Sequence, residues 1–365
     1  MTTKERLAIL ADVCTGFPEL GVASKGDLEA WVAAELGAVD ALERWQPHAG
    51  GKTRTLPPSA LAHVLAGNLP VSGLQSVLVG LVLGAHNVVK LPTEEGDAPV
   101  ARRLREFTSA LPEGLRATVA LRSDLPDEEL RAADGVIAHG SDEAMAAIHA
   151  RLRWDQRFLA YGHKLSLIWM SADGAADADI VAATARDVAA YDQRGCLSPQ
   201  LIFLAPGLHG AAGRDFCDRL AQALQREAQT QAPAPLSPAE AAAIHEARDT
   251  AAAKGARLWQ PEDDGLAWTV AWRAESEFAG SPGGRFIQVR PAEPANLPNL
   301  LRPLRGKLST VGHGGALESV VQAVFVALGV HRFCPVGHMQ APPVWWHHDG
   351  RPQLAPLVQW VDAEA

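Results

Sequence analysis

The sequence predicts an α/β protein in which a doubly wound layer of strands and helices is followed by a second α/β part. The first observation is a strand–helix–strand unit over residues 62–91, whose length of about 30 residues implies parallel pairing of its strands. The second is that strands and helices continue to alternate as far as residue 170. The third is that the helix of the first unit, 72–84, is apolar almost all round, as expected between a sheet and another layer.

Apolar periodicity and turn residues assign the elements in order. Residues 1–55 are expected to form amphipathic helices that end in a Gly50-Gly51-Lys52 loop. Strands are expected at 62–66, 87–91, 117–121, 135–139, 158–161, 165–170, 200–204, 266–272 and 286–289. Helices are expected at 72–84, 99–110, 127–133, 143–153, 175–191, 211–228, 239–254 and 317–328. The tail, rich in Pro, His and Trp, is expected to be irregular.

Small residues recur along one face of the 72–84 helix, at Gly73, Ser76, Gly80 and Gly84. We interpret this stripe as close packing of the helix on the sheet. A membrane dimerisation motif is the alternative, but Pro70 and the preceding turn break the apolar stretch of 64–89 too early for a bilayer span.

Composition excludes several classes of protein. The 33 basic and 42 acidic residues give a formal net charge of −9 with no lysine- or arginine-rich block, which argues against nucleic-acid binding. The four cysteines, Cys14, Cys196, Cys217 and Cys334, are scattered and form no CxxC pair, so neither a disulfide framework nor a zinc site is predicted. This cysteine usage and an N-terminus without the apolar core of a signal peptide lead us to expect a cytoplasmic protein.

Cys196 lies on a hinge between the 175–191 helix and the 200–204 strand, flanked by Gly195 and Pro199. A thiol on such a hinge can face a cleft, where a nucleophilic cysteine forms thioester or thiohemiacetal intermediates. Arg194 is a candidate for lowering the pKa of this thiol, and a plain surface arginine is the alternative.

Three turns are candidate ligand sites. Gly140-Ser141-Asp142 joins a strand to a helix start that could face an anion, although no GxGxxG fingerprint occurs. Lys90 ends a strand, where it could hold a ribose hydroxyl or a phosphate, or be merely solvated. Asn68 lies in a strand-to-helix turn, where it could donate to an oxyanion or simply tolerate the turn conformation.

Six histidine and cysteine residues lie close together near the C-terminus, but none shows the spacing of a zinc finger, so we predict no metal: His313, His331, Cys334, His338, His347 and His348. The neighbouring Trp345 and Trp346 suit a rigid seam or a subunit interface, and a homo-oligomer is expected.

These fragments resemble the aldehyde dehydrogenase superfamily, and more closely its LuxC-type acyl-CoA (fatty-acid) reductases. The resemblance lies in five turns that occur in the family's order, together with the tail. The matching segments are 67–70 (Asn-x-Pro turn), 88–93 (strand ending in Lys-Pro-Ser), 138–141 (Thr-Gly-Ser turn), 162–166 (Gly-Gly-Lys-Ser), 192–199 (nucleophile segment), 332–340 and 348–350.

The resemblance implies a Rossmann-type cofactor domain plus an α/β catalytic domain, as in aldehyde dehydrogenases. It implies Cys196 as nucleophile, Asn68 as oxyanion donor and five cofactor-binding residues: Lys90, Thr93, Gly140, Ser141 and Lys164. The expected cofactor is NADPH, with NADH as the alternative and no metal. Residues 1–55 would be an N-terminal helical segment, 56–180 the NAD(P)-binding domain, 181–340 the catalytic domain and 341–365 a tail at a subunit interface.

One departure from the hydrolytic members of the superfamily is informative. Ala160 stands where those enzymes carry a water-activating glutamate, so acid formation is disfavoured. The resemblance therefore implies reduction of an acyl thioester, from acyl-CoA or an acyl-protein, to the aldehyde, with an acyl-transferring partner protein as a further expectation. The chain is also shorter than a full LuxC-type reductase.

Three alternatives stay open. An acyl-phosphate reductase of the same superfamily would recruit Lys164, Arg194 and Arg305 around the leaving phosphate. A cysteine acyltransferase or thioesterase would pair Cys196 with a histidine such as His313. A non-catalytic scaffold would leave Cys196 unacylated.

Overall fold

In a computed structural model of the chain, the structure describes residues 1–67, 70–92, 99–278 and 280–364, apart from the side chain of Pro70. The chain forms two compact units. The first unit is Met1–His163 with Ala341–Ala365, and the second unit is Lys164–Gln340. The first unit is thus assembled from both ends of the chain.

The α-helices in the described residues are α1 (Thr3–Cys14), α2 (Lys25–Leu36), α3 (Pro70–Leu83), α4 (Pro99–Ala110), α5 (Glu113–Arg116), α6 (Asp127–Ala132), α7 (Asp142–His149), α8 (Ala172–Ala176), α9 (Ala178–Ala189), α10 (Ala211–Thr230), α11 (Pro238–Ala253), α12 (Leu297–Leu300) and α13 (Ser319–Ala327). The strands are β1 (Gln46–His48), β2 (Gly51–Leu56), β3 (Ala60–Val64), β4 (His86–Lys90), β5 (Val119–Arg122), β6 (Gly135–His139), β7 (Arg157–Tyr161), β8 (Leu165–Met170), β9 (Pro199–Leu204), β10 (Arg257–Trp259), β11 (Thr269–Trp272), β12 (Phe286–Pro291), β13 (Leu308–Gly314), β14 (Arg332–Pro335) and β15 (Gln359–Glu364). Short 3₁₀ turns occur at Pro18–Leu20, Ala190–Gln193, Pro294–Asn296, Arg302–Leu304 and Ala355–Leu357.

A five-stranded parallel sheet with strand order β5-β4-β3-β6-β7 forms the centre of the first unit. The chain enters at β3, builds β4 and β5 on one side, and then crosses back to build β6 and β7 on the other. The strand order therefore reverses between β3 and β6, and this switch point is where doubly wound sheets bind ligands beyond the carboxyl ends of their strands. The predicted α/β layer is confirmed.

Helix α3 packs on this sheet through Ser76 and Gly80 of the predicted small-residue stripe. A Cβ added at Gly80 would lie 1.7 Å from Oδ1 of Asn87 on β4, so only glycine fits there. Ser76 contacts Nδ1 of His63 on β3 at 2.8 Å, and Nε2 of His63 contacts Oδ1 of Asn87 at 3.0 Å. Because the Asn87 oxygen can only accept, the hydrogen of His63 is on Nε2 and Nδ1 accepts from Ser76. The close packing inferred for this helix is confirmed, and no helix of the described segments is long and apolar enough to cross a bilayer.

The N-terminal segment differs from the expected run of helices. Helices stop at Leu36, and the Gly50 region is the turn of an antiparallel hairpin formed by β1 and β2, with Gly50 at a φ of 79°. β15 pairs with the other edge of β2, so the tail expected to be irregular ends in a strand. Residues 51–56 carry Lys, Arg and two threonines on a strand that is mostly not buried, and such a polar strand lacks the apolar alternation that sequence analysis detects.

The second unit is built on a seven-stranded sheet with strand order β10-β11-β12-β9-β8-β13-β14, parallel except for β10. β8, expected at the end of the first domain, lies near the middle of this sheet between β9 and β13. β10, β13 and β14 were not expected as strands, and β13 reads Leu-Ser-Thr-Val-Gly-His-Gly, a polar and glycine-containing run. The division of the chain at 163/164 therefore differs from the expected one at 180/181, because pairing with β9 and β13 places β8 in the second unit.

The long helix expected at 175–191 is two helices, α8 and α9. Asp177 ends α8 and caps α9, since its side chain accepts hydrogen bonds from the N–H groups of Asp179 at 2.8 Å and Ile180 at 3.2 Å. An aspartate that satisfies the free N–H groups of a new helix favours a break at that point. Helix α9 leads directly to the segment that carries Cys196.

Burial of His63 should make the stability of the protein pH-dependent. Burial lowers the pKa of His63 to about 4 from the 6.5 of an exposed histidine, so acid charges this residue in the unfolded chain first. Between pH 7 and pH 5 the free energy of unfolding should fall by about 2 kcal/mol from this residue alone. His63→Gln should remove that part of the fall, measured by urea unfolding at both pH values.

The control for this measurement is His86→Gln, which changes an exposed histidine of the same sheet. Its pH dependence should match that of the unmodified protein. If the free energy of unfolding falls with pH equally in His63→Gln and in the unmodified protein, burial of His63 is not a cause of that fall.

Candidate active site

Cys196 lies on the irregular segment between α9 and β9, and it is the one cysteine of the chain that is not buried. Burial raises the pKa of Cys14 to about 12 and that of Cys334 to about 11. Burial also strongly raises the pKa of Cys217. Because the thiolate is the reactive form, these three thiols are inert at neutral pH, and Cys196 is the candidate nucleophile.

The backbone just before Cys196 is strained. Tyr191, Asp192 and Gln193 have φ values of 53°, 51° and 59°, which places three consecutive side-chain-bearing residues in the left-handed region. Each such residue costs about 1 kcal/mol, and strain of this kind persists only where the surroundings enforce it. We call Tyr191–Gln193 the left-handed turn.

A second turn faces the left-handed turn and binds it. Gly283, Gly284 and Arg285 have φ values of 85°, 63° and 59°, and we call Gly283–Arg285 the counter-turn. Nε of Arg285 donates to Oδ1 of Asp192 at 2.8 Å, and the N–H of Gly284 donates to the Asp192 carbonyl at 3.0 Å. The ion pair is buried, since Arg285 is 1% exposed and Asp192 is 9% exposed.

Two buried serines hold the backbone at Cys196 and at the preceding Gly195. The hydroxyl of Ser166 on β8 donates to the Cys196 carbonyl at 2.8 Å and accepts from the Thr310 N–H at 3.3 Å. The hydroxyl of Ser198 accepts from the Gly195 N–H at 3.2 Å and from Nε2 of Gln340 at 3.0 Å. The Cys196 carbonyl is therefore tied to the middle of the second sheet.

Arg194 has a carboxylate partner. Its guanidinium contacts Oε1 of Glu240 at 2.9 Å, and Glu240 belongs to the capping box at the start of α11. A guanidinium engaged by a carboxylate has less effect on a nearby thiol than an isolated one. The structure thus supports a mainly structural role for Arg194.

The residues expected on the cofactor side lie at the carboxyl edge of the first sheet. Lys90 ends β4 and pairs in register with Arg122 at the end of β5. Gly140 and Ser141 follow β6, beside the switch point. Ser141 is the N-cap of α7, accepting from the Ala144 N–H at 3.2 Å.

The other expected cofactor and oxyanion residues are placed differently. Lys164 begins the second unit, where Nζ donates to the Gly306 carbonyl at 2.7 Å. Asn68 and Thr93 lie outside the described residues.

At Ala160 the structure offers a methyl group on β7 where a hydrolytic enzyme would carry a carboxylate. The Ala160 carbonyl accepts a hydrogen bond from the Arg351 guanidinium, which lies over the Tyr161 ring, 5.0 Å from its centre. The immediate surroundings of this position are thus cationic and aromatic.

The C-terminal histidines take part in packing. The ring of His348 stacks on Tyr161 at 3.9 Å and on Trp346 at 4.7 Å between centroids. Trp346 is therefore buried within the first unit, whereas Trp345 is 54% exposed. In the part of the chain that the structure describes, no three His, Cys, Asp or Glu side chains form a group that could hold a metal ion.

Sequence analysis missed Ser166, Asp192 and Arg285 as parts of the site. Ser166 and Asp192 lie within the matched segments 162–166 and 192–199, but their contacts join residues that are 30 and 93 positions apart and cannot be read from those segments. The signal for Arg285 was the preceding Gly283-Gly284 pair, because two glycines mark a turn with positive φ values.

Comparisons with known proteins give one consistent family. A family model described as Acyl-CoA reductase (LuxC) matches residues 19–360. The long-chain acyl-protein thioester reductase 2 of Photobacterium leiognathi is 27% identical over 221 residues, which are 56% of this chain and 43% of the relative. The long-chain acyl-protein thioester reductase of Vibrio harveyi is 28% identical over 192 residues, 50% of this chain and 39% of the relative. The match therefore spans less than half the length of either relative.

Solved structures show the fold. An NAD-dependent benzaldehyde dehydrogenase from Corynebacterium glutamicum superimposes with a TM-score of 0.65 at 15% identity, covering 100% of this chain and 85% of that chain. A succinate-semialdehyde dehydrogenase from Burkholderia pseudomallei gives a TM-score of 0.66 at 17% identity, covering 100% and 86%. The predicted aldehyde-dehydrogenase-like fold is confirmed.

Thiol accessibility gives a direct test of the nucleophile. Iodoacetamide should label one thiol of the folded protein rapidly at pH 7.5, because the other three are buried and hold their protons. Intact-mass spectrometry should show a single addition that Cys196→Ser abolishes and Cys334→Ser leaves unchanged. Fast labelling that survives Cys196→Ser would point to another thiol.

Proposed function

The chain belongs to the LuxC family of acyl-CoA reductases, and from this we propose that it reduces an acyl thioester to the aldehyde through a Cys196 acyl-enzyme. The observation that carries the proposal is Cys196 itself, a thiol that is not buried, on a strained segment held by buried contacts. The alanine at 160 supports a reaction in which water does not take the acyl group.

The proposed chemistry begins when the Cys196 thiolate attacks the thioester carbonyl. The bond from the acyl carbon to the leaving sulfur breaks, that sulfur departs as a thiol after gaining a proton, and the acyl group remains on Cys196. When bound, a reduced nicotinamide dinucleotide supplies the hydride for the acyl carbon. The Asn68 amide is proposed to stabilise the thiohemiacetal oxyanion on Cys196, and collapse of this intermediate releases aldehyde and restores the thiolate.

The first unit has features that suit a nicotinamide dinucleotide. Its sheet has the reversed strand order that creates a ligand crevice at the carboxyl ends of β3 and β6. Lys90 and Arg122 are register neighbours at this edge, and cations there suit the phosphates of a dinucleotide. This pair supports NADPH as the proposed cofactor, with NADH as the alternative, and Gly140 and Ser141 are proposed to lie beside it.

The register of the second sheet argues against a Cys196–His313 hydrolase. His313 pairs with Trp169, and Trp169 pairs with Phe203 of β9. Phe203 lies four residues beyond the start of β9, about 13 Å along the strand, whereas Cys196 precedes that start. His313 also bonds the Gly315 carbonyl through Nδ1 at 3.1 Å. A direct thiol–imidazole pair therefore does not fit this sheet.

The alternative acyl-phosphate reductase finds less support. Of its three candidate cations, Arg194 is paired with Glu240 and Lys164 with the Gly306 carbonyl, which leaves Arg305.

The acyl donor of the proposed reaction is acyl-CoA or an acyl-protein thioester, and an acyl-transferring partner protein remains part of the proposal. A homo-oligomer also remains a proposal, and the exposed Trp345 is the aromatic residue proposed for its interface.

A panel of substrates tests the function. Acyl-CoAs of rising chain length should be reduced with consumption of NADPH or NADH and formation of a trapped aldehyde, whereas acyl phosphates assayed in parallel should not. Without reductant, intact-mass spectrometry should show one acyl group on the protein, which Cys196→Ala abolishes. Repeated turnover of thioester cleavage without any nicotinamide, beyond the one equivalent that acylates the protein, or no acylation of Cys196, would contradict the proposal.

Asn68 has a separate test. Because a preorganised oxyanion donor contributes about 3 kcal/mol, Asn68→Ala should slow aldehyde formation roughly a hundredfold without changing the unfolding temperature. Asn299→Ala, at an exposed position of α12, is the control and should turn over normally. Normal turnover of Asn68→Ala would remove this residue from the site.

A further inference from the structure

We propose that Asp192 and Arg285 are positioning residues for Cys196, and that their ion pair sets the rate at which the thiol is acylated. The inference rests on the proposed function, and it deepens that function by naming what aims the nucleophile. Neither residue is proposed to touch the substrate.

The first step of the argument is that the left-handed turn does not form by its own preference. Three consecutive residues with side chains adopt positive φ values, and none of them is glycine. Asparagine and aspartate tolerate this region better than other residues, so Asp192 is the member of the turn that suits it best. The remaining strain has to be opposed by contacts from outside the turn.

Those contacts converge on Asp192. Its carboxylate accepts from Nε of Arg285 at 2.8 Å and from the Ala234 N–H at 3.1 Å, and its carbonyl accepts from the Gly284 N–H at 3.0 Å. Arg285 also donates to the Gln231 carbonyl at 3.0 Å. The pair therefore joins the left-handed turn to the counter-turn and to the loop before α11.

The pair is built differently from the surface ion pairs of the same unit. Arg285 is almost completely buried, whereas Arg257 and Asp218 form a pair at 3.7 Å with about half of each side chain exposed. A buried charge that loses its partner cannot be rescued by water, so breaking this pair forces the turn to rearrange.

The position of the pair connects it with the thiol. Only Arg194 and Gly195 separate the left-handed turn from Cys196, so a change in the φ values of the turn moves the thiol directly. On the downstream side, Ser166 on β8 holds the Cys196 carbonyl to the second sheet. Loss of the upstream anchor would leave the downstream one in place, and the thiol would point in a new direction.

The experiment compares Asp192→Asn, Arg285→Gln and the double variant with the unmodified protein. Asp192→Asn keeps the volume and the left-handed tendency of the residue but removes the charge. Each single variant should acylate on the order of a hundredfold more slowly in single-turnover mass spectrometry with acyl-CoA, the loss typical of a misplaced reacting group. The double variant should be no slower than the worse single one, because the two residues act as a unit. Arg285→Lys should recover part of the rate.

Arg248→Gln is the matched control. Arg248 is a buried arginine of the same unit that bonds Thr269 and the carbonyls of Gly265 and Trp268. Its replacement should lower the unfolding temperature while the acylation rate stays within about twofold. A purely structural role for Arg285 would give the two glutamine variants the same profile.

A second readout separates this inference from the proposed function. The pH profile of Cys196 alkylation by iodoacetamide needs no acyl substrate, and it should change in Asp192→Asn and Arg285→Gln but not in Arg248→Gln. If no acyl thioester modifies the unmodified protein, the proposed function fails while the alkylation profiles still decide the inference. The inference would be overturned if folded Asp192→Asn had the acylation rate and the alkylation profile of the unmodified protein. This test holds even if Arg285→Gln does not fold.

Discussion

The buried ion pair between Asp192 and Arg285 is the interaction on which the geometry around the thiol depends. The chain has to leave α9 and enter a central strand of the second sheet within a few residues, and it does so through three left-handed residues. Burying two charges carries a large desolvation cost, which is compensated only where the pair is well formed and further hydrogen bonds complete it. Here the Ala234 N–H and the Gln231 carbonyl supply those bonds. The strained turn is stable because several surrounding contacts hold it in this conformation at once.

The first sheet offers an edge suited to ligand binding, and the second sheet supports the segment that carries Cys196. The first sheet provides a switch point, with glycine, serine and cationic residues at the carboxyl ends of its strands. The second sheet provides a rigid support for the proposed nucleophile, because Ser166 on β8 bonds both the Cys196 carbonyl and the backbone of β13. In the proposed mechanism, cofactor binding and covalent chemistry therefore belong to separate α/β units, each with its own core. This division is the one expected of the aldehyde-dehydrogenase-like fold.

Much of this architecture could be predicted from the sequence, because apolar segments bounded by turn residues have an unambiguous period. The helix Pro99–Ala110 and the strands Gly135–His139 and Leu165–Met170 have the predicted bounds. The β1–β2 hairpin and β13 could not be recognised, since polar residues and glycines hide their alternation. The hinge indicated that the Cys196 thiol is accessible, as the structure shows. The contacts of Arg285 and Ser166 could not be predicted, because buried polar contacts between distant residues leave no periodic trace in the sequence. The motif around Lys164 suggested a cofactor-binding residue, but it could not show that the ammonium group donates to the Gly306 carbonyl.

The attachment of the tail to the first unit has a consequence for how the protein is made. One carboxylate, Glu35 on α2, accepts from the N–H groups of Gln353, Leu354 and Ala355 at 2.6 to 3.0 Å, and β15 completes the sheet begun by β2. Val344 and Leu357 lie in the same hydrophobic core as the N-terminal helices. On the ribosome the first unit therefore waits, with an incomplete core, until the second unit has been synthesised. Residues 341–364, which are made after the second unit, complete the first unit, so the contacts between its two segments are highly non-local and are expected to form slowly.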